Sequence, residues 1–148
     1  MMKNLNGCNV KLVKVASKID NILSEVILLQ QDYVLRICSA CRESCCQRVQ
    51  YLFDEKDTIF YKIFLNQDLP RKAFNAIHGC PFLSTTGCRL EPKSRPFTCH
   101  RYLCSRLEKE MIRKEPDLSK ILAQKFRILE DLRGRLWREF LETRLQPT

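Results

Sequence analysis

Nine cysteines constrain this chain more than any other feature, because eight of them lie within its central part. The eight form two groups along the sequence: Cys38, Cys41, Cys45 and Cys46, then Cys80, Cys88, Cys99 and Cys104. Disulfides at this density are typical of small secreted domains, but the first residues lack the apolar segment of a secretory signal, the cysteine count is odd, and two cysteines are adjacent. Clustered cysteines in a cytoplasmic chain more often bind metal or carry out redox chemistry. We therefore expect a cytoplasmic protein that binds metal through thiolates.

The size and composition indicate one globular unit. The chain has 148 residues, of which 45% are hydrophobic and 29% charged, the balance of a folded domain. The apolar run Val26–Leu29 is far shorter than the roughly 20 residues that cross a bilayer. We predict a single domain, residues 1–148, with no membrane-spanning segment.

Two long amphipathic helices are predicted, one on each side of the cysteines. Apolar residues recur at spacings of three and four in residues 9–35, namely at Leu12, Val15, Ile19, Ile22, Val26, Leu29 and Tyr33. The same pattern in residues 117–145 uses Leu118, Ile121, Leu122, Phe126, Leu129, Leu132, Leu136 and Phe140. Residues 54–66, with Asp54 or Asp57 as the cap, and residues 98–113 are further predicted helices.

The middle of the chain is predicted to consist of turns and short strands. Glycine and proline concentrate in residues 70–97, and residues 80–91 form a predicted hairpin whose turn is the segment 84–87. The predicted fold class is mainly α: a small helical domain with a cysteine-rich, loop and short β-hairpin metal-binding middle. The cysteine-cluster core spans about residues 38–104 and lies between helices 9–35 and 117–145.

The cysteine spacing is compatible with several metal centres. On a helix, Cys38, Cys41 and Cys45 share one face, and Cys46 points about 100° away. Cys80 and Cys88 lie on the two arms of the hairpin, and Cys99 and Cys104 lie at the start of a helix, whose dipole favours thiolates. Zinc takes four such ligands, and iron–sulfur clusters are also held by cysteine thiolates. Two four-cysteine sites, a shared dinuclear site, and one cluster with spare cysteines all remain open.

The net charge of +9 is concentrated near the second cysteine group. Residues 71–104 contain six basic and one acidic side chain. These cations would offset the negative charge of a metal tetrathiolate. They would also suit an anionic partner such as nucleic acid, although no dense basic run or aromatic platform accompanies them.

The blocks CSACRESCC, GCPFLSTTGC and RPFTCHRYLC occur in this order and resemble the YkgJ-like cysteine-cluster family, the CxxCxxxCC zinc- or iron-chelating domain. The resemblance covers about residues 38–104 and uses all eight clustered cysteines. It implies a metal-chelating domain of unassigned role. Flagellin lysine N-methylases carry a similar signature, which implies a redox or SAM-dependent methyl-transfer enzyme as an alternative. The chain departs from the family pattern at His100, where arginine is usual, and at Leu103, where proline is frequent.

Three further residues are candidates for supporting roles. Arg95 and Arg101 are placed to donate to a cysteine sulfur or an anionic ligand, and His100 to ligate the metal or carry a proton. The alternatives are two solvated arginines and a histidine at the surface or beside the ligands. No Ser/His/Asp arrangement, phosphate-binding glycine loop or H-E-x-x-H motif is present, which argues against a hydrolase. The expected partner is a metal ion or cluster, with a protein or nucleic acid as further partners of a basic adaptor.

Overall fold

The computed structural model describes residues 9–38, 53–69, 83–84 and 87–145. Five α-helices lie in these ranges: α1 Asn9–Tyr33, α2 Glu55–Phe60, α3 Phe97–Arg101, α4 Ser105–Lys114 and α5 Leu118–Leu145. The other elements are the π-helical turns π1 Val34–Cys38 and π2 Tyr61–Leu65, the strands β1 Leu83–Ser84 and β2 Gly87–Cys88, and the 3₁₀ turn Pro92–Ser94. The described part is therefore mainly α-helical, as predicted.

Helices α1 and α5 pack along each other and supply most of the core. The Lys125 ammonium lies 2.7 Å from the Glu25 carboxylate, while Ile19 and Leu136 border one cavity further along, so the two helices run antiparallel. Their facing side chains are almost completely buried: Leu12, Val15, Ile19 and Val26 on α1, and Leu122, Phe126, Leu129 and Leu136 on α5. Burial of this apolar surface is the main force holding the pair together.

The shorter helices extend this core. Helix α2 starts with a capping box, in which the Asp54 side chain accepts from the Asp57 amide and the Asp57 side chain accepts from the Asp54 amide. It contributes Ile59 and Phe60 to the core, and α4 contributes Leu107 and Met111. The prediction that Asp54 or Asp57 caps the helix in residues 54–66 is therefore confirmed, with Asp54 as the cap of α2.

The predicted terminal helices are confirmed, with two corrections to the sequence pattern. Ile121 is 42% exposed, so its assignment to the buried face of α5 is wrong. Leu122, which was assigned to the same face, is 1% exposed. The predicted helical character of residues 98–113 is confirmed, but it is interrupted. Tyr102 and Cys104 both adopt extended backbone conformations, which end α3 and cap α4, so the segment forms two helices.

Of the predicted hairpin, the structure describes residues 83–84 and 87–91. Ser84 and Gly87, which were predicted to lie in the turn, belong to paired strands instead. Strand β1 pairs with β2 in antiparallel register, with Leu83 opposite Cys88 and Ser84 opposite Gly87. The predicted arm at Cys80 lies outside the described residues. Among the described helices, none combines the length and the apolar character needed to cross a bilayer.

Candidate functional site

Four of the eight clustered cysteines fall within the described backbone. Cys38 is the last residue of π1, Cys88 the last of β2, Cys99 lies in α3 and Cys104 immediately precedes α4. The side chains of Cys88, Cys99 and Cys104 are half-buried thiols. Cys41, Cys45, Cys46 and Cys80 lie outside the described residues.

Cys104 has a defined hydrogen-bond partner at the start of a helix. Its Sγ accepts a hydrogen bond of 3.4 Å from the Leu107 amide and so caps the N-terminus of α4. The unpaired amides and the dipole at this end of a helix stabilise negative charge. The prediction that Cys104 lies at a helix start is confirmed, whereas Cys99 is the third residue of the preceding helix α3.

The end of the first helical segment packs against α4. Turn π1, which ends at Cys38, packs against α4, which Cys104 caps. The described side chains contain no group of three histidine, cysteine or acidic residues that could hold a metal ion. Since the side chains of five of the eight cysteines lie outside this description, the metal centre stays a prediction.

A buried ion pair joins α5 to the start of α2. The Arg133 guanidinium of α5 donates to Asp57 Oδ1 at 3.1 Å and to Asp54 Oδ1 at 2.7 Å. It also lies 4.1 Å from the centroid of the Phe97 ring, and the Phe97 amide donates to Asp57 Oδ1 at 3.2 Å. One arginine therefore joins α5, α2 and the start of α3 through charge, hydrogen bonds and a cation–π contact.

The pKa values of the two carboxylates in this cluster are shifted in opposite directions. Burial raises the pKa of Asp57 to about 6, although the Arg133 charge and the Asp54 amide act against that rise. Burial also raises the pKa of Asp54, but the hydrogen bond from the Asp57 amide and the Arg133 charge outweigh it, so the Asp54 pKa is lowered. The difference follows from exposure, since the Asp54 side chain is 37% exposed and that of Asp57 only 11%.

Sequence reasoning missed Arg133 and assigned Asp57 only a capping role. A usable signal was present, because Arg133 lies between Leu129 and Leu136 on the buried face of α5. An arginine at such a position is rarely buried without a partner, and carboxylates are its usual partners. The pattern could therefore have predicted a buried acid, though not which one.

His100 is buried, so its alternative assignment to the surface is wrong. His100 is 6% exposed, and its backbone carbonyl accepts a hydrogen bond from Gln30 Nε2. Within the described part of the chain, the Nε2 atom of the His100 ring has no hydrogen-bond partner. Burial, with the nearby Arg95 charge, lowers the pKa of His100 to about 4, so the ring is neutral at pH 7.

The two predicted arginines have different environments. Arg95 Nε donates to the Leu90 carbonyl at 3.2 Å, and its side chain lines a cavity together with His100, Tyr61 and Asp57. Arg101 is more exposed and lies against α5, with its Nε 3.1 Å from Glu130 and its guanidinium 5.3 Å from the Phe126 ring centroid. Of the two predicted arginines, Arg95 is therefore the one that lines a cavity together with His100.

Comparison with known proteins found no match among protein-family models, curated proteins or solved structures. The described candidate cysteines lie at the end of π1, at the end of β2, within α3 and immediately before α4. His100 and Arg95 line a cavity that also has many apolar side chains in its wall.

Proposed function

We propose that this chain is a metal-binding protein that holds zinc or an iron–sulfur cluster through cysteine thiolates. The observation that carries the proposal is the grouping of Cys38, Cys41, Cys45, Cys46, Cys80, Cys88, Cys99 and Cys104 within residues 38–104. Thiolates are the ligands that both kinds of centre use.

The environment of Cys104 supports this proposal. Its sulfur accepts a hydrogen bond from a helix-terminal amide, so the side chain is held in a defined position at the start of α4. The cationic side chains of residues 71–104 would offset the negative charge of bound thiolates.

The proposed role of the metal is structural. The described elements that lie within residues 39–104 are short, none longer than six residues. A metal that joins cysteines far apart in sequence contributes its binding free energy to folding. Helices α1 and α5 have their own apolar core, so they should keep more of their structure than the middle does when metal is removed.

The test is metal analysis of protein purified without oxygen, compared with two single variants. We expect iron with matching sulfide and visible absorption, or zinc in a colourless solution. Cys104→Ser should lower the metal content per chain, whereas Cys8→Ser, which changes the isolated cysteine, should leave it unchanged. Protein that contains neither metal nor sulfide, and whose melting a chelator does not alter, would contradict the proposal.

The same preparation tests the alternative of a redox or methyl-transfer enzyme. That function requires a cluster with an open coordination position. A reducible iron cluster that lacks one cysteine ligand would replace the structural role with an enzymatic one. A zinc site with four cysteine ligands would leave no position for such chemistry.

A further inference from the structure

The α1–α5 pair has one face that bears the ion pair between Glu25 and Lys125, with 2.7 Å between the carboxylate and the ammonium. Asp20 and Glu130 lie five residues from these two along their own helices, and therefore about 140° around them. Their carboxylates bind the 3₁₀ turn and α3, which consequently lie against the other face. We call the face that bears the Glu25–Lys125 pair the open face.

Apolar side chains lie on both sides of this ion pair. Ile121 and Ile128 are 42% and 46% exposed, and they lie one turn before and one turn after the lysine of the pair. The half-buried Ile22 and Leu29 lie one turn before and one turn after the glutamate. Because the two helices are antiparallel, Ile22 is level with Ile128, and Leu29 with Ile121. The open face is therefore two apolar layers with an ion pair between them.

Exposed charges lie beyond the apolar layers, with opposite signs at the two ends of the open face. Lys18 and Asp32 lie seven residues before and after Glu25, close to two helical turns, so both share its side of α1. Arg135 lies seven residues after Ile128 on α5. The antiparallel arrangement puts Lys18 and Arg135 at one end and Asp32 at the other.

We propose that the open face binds a second copy of this chain, so that two α1–α5 pairs form a four-helix bundle. A two-fold axis through the ion pair, perpendicular to the open face, lays α1 of each copy over α5 of the other. Glu25 then faces Lys125 of the second copy, and Leu29 packs beside Ile128 and Leu132 of the second copy. Apolar layers meet apolar layers and opposite charges meet, which is the self-complementarity that a two-fold contact requires.

The ends and the area of the open face fit the same arrangement. Asp32 of one copy lies one helical turn from Arg135 of the other, within reach of an ion pair. Helix α1 has 25 residues, so the open face is about 37 Å long and, at two helix diameters, about 20 Å wide. A flat contact of this size covers about 700 Å² of each copy, close to the roughly 800 Å² per partner of a stable interface.

Sedimentation velocity of the intact protein over a concentration series tests the dimer, with a reductant present so that intermolecular disulfides do not contribute. We expect a species of twice the 17.5 kDa chain mass. Ile121→Lys should raise the Kd of the dimer about 10- to 100-fold, since it sets a charge in an apolar layer. Val13→Lys is the matched control: Val13 is also 42% exposed, but it lies about 140° around α1 from Lys18. A monomeric wild type, or unchanged association of Ile121→Lys, would overturn the proposal.

Charge reversal separates the contact between copies from the ion pair within one copy. Glu25→Lys and Lys125→Glu each put like charges opposite each other across the two-fold axis, so each variant alone should dimerise at least about 10-fold more weakly than the wild type. In an equal mixture, each lysine of one variant faces a glutamate of the other, and heterodimers should form. The ion pair within each copy stays broken in the mixture, so folding effects cannot produce this recovery. A mixture that associates no better than the separate variants would show that the two-fold arrangement is wrong.

Discussion

Replacing Arg133 by methionine should destabilise the protein by an amount that grows with pH. Methionine keeps the aliphatic part of the side chain but removes the charge that Asp57 and Asp54 share. Arg133 and Asp57 are each 11% exposed, so the carboxylate that remains cannot regain full hydration without local opening. The Asp57 carboxylate can, however, take up a proton, and this limits the loss of stability.

The size of the effect follows from three contributions. With a pKa of about 6, protonating Asp57 costs about 1–2 kcal/mol at pH 7 and about 2–3 kcal/mol at pH 8. The lost cation–π contact with Phe97 adds about 1 kcal/mol. The more exposed pair with Asp54 adds only about 0.5 kcal/mol after solvent screening. The expected loss is therefore about 3 kcal/mol at pH 7 and about 4 kcal/mol at pH 8.

The direction of the pH dependence follows from proton binding. Arg133 lowers the pKa of Asp57, so its removal raises that pKa above 6 and the folded variant holds a proton that the wild type has released. Between these two pKa values the variant therefore loses stability relative to the wild type as pH rises, and well below pH 6 the difference stays at its smallest value because Asp57 is protonated in both proteins.

Urea unfolding followed by circular dichroism, at several pH values between 5 and 8, measures this difference. Arg127→Met is the matched control, because it makes the same exchange at an exposed position of α5. It should change the free energy of unfolding by less than about 0.5 kcal/mol at every pH. A loss in Arg133→Met that is independent of pH, or no larger than that of the control, would refute the reasoning about Asp57.

Three other substitutions have definite expected results. Gly134→Ala should raise the free energy of unfolding by up to about 1 kcal/mol, since a Cβ atom there would lie 3.7 Å from its nearest neighbour, Arg138; a lower melting temperature would contradict this. Leu129→Ala removes a completely buried side chain and should cost about 2–5 kcal/mol in urea unfolding, whereas Ile128→Ala, at a 46% exposed position, should cost less than about 0.5 kcal/mol. In metal-depleted protein, where bound metal cannot differ between the variants, Cys104→Ala should destabilise α4 by about 1 kcal/mol by removing its cap. Cys104→Ser should preserve helicity there because serine also caps, and equal loss of circular dichroism signal in both would exclude the capping role.

The sequence predicts the long helices well because their apolar residues follow the helical repeat over many turns. In α1 the positions Leu12, Val15, Ile19 and Val26 are all buried as expected. The cap at Asp54 is also predictable, since a capping aspartate acts within its own helix turn. Local patterns of this kind need no knowledge of the rest of the fold.

Features that depend on contacts distant in sequence could not be predicted in the same way. The break between α3 and α4 contains neither glycine nor proline, and the cap that restarts the helix is a cysteine thiol rather than a usual capping side chain. The burial of His100 depends on residues of α1, α2 and α5 that surround it. The joint placement of Arg95 and His100 is equally a product of tertiary packing.

The antiparallel contact between α1 and α5 has a consequence for the order of folding. The two helices can meet only when residues 34–117 close into a loop. For a flexible chain of this length, the length-dependent part of the closure entropy alone is about 4 kcal/mol. A metal ion that joins cysteines within this segment would shorten the effective loop before the helices dock. Metal supply during synthesis should then set the folding rate as well as the final stability, and starvation for metal should appear first as slow maturation of newly made chains.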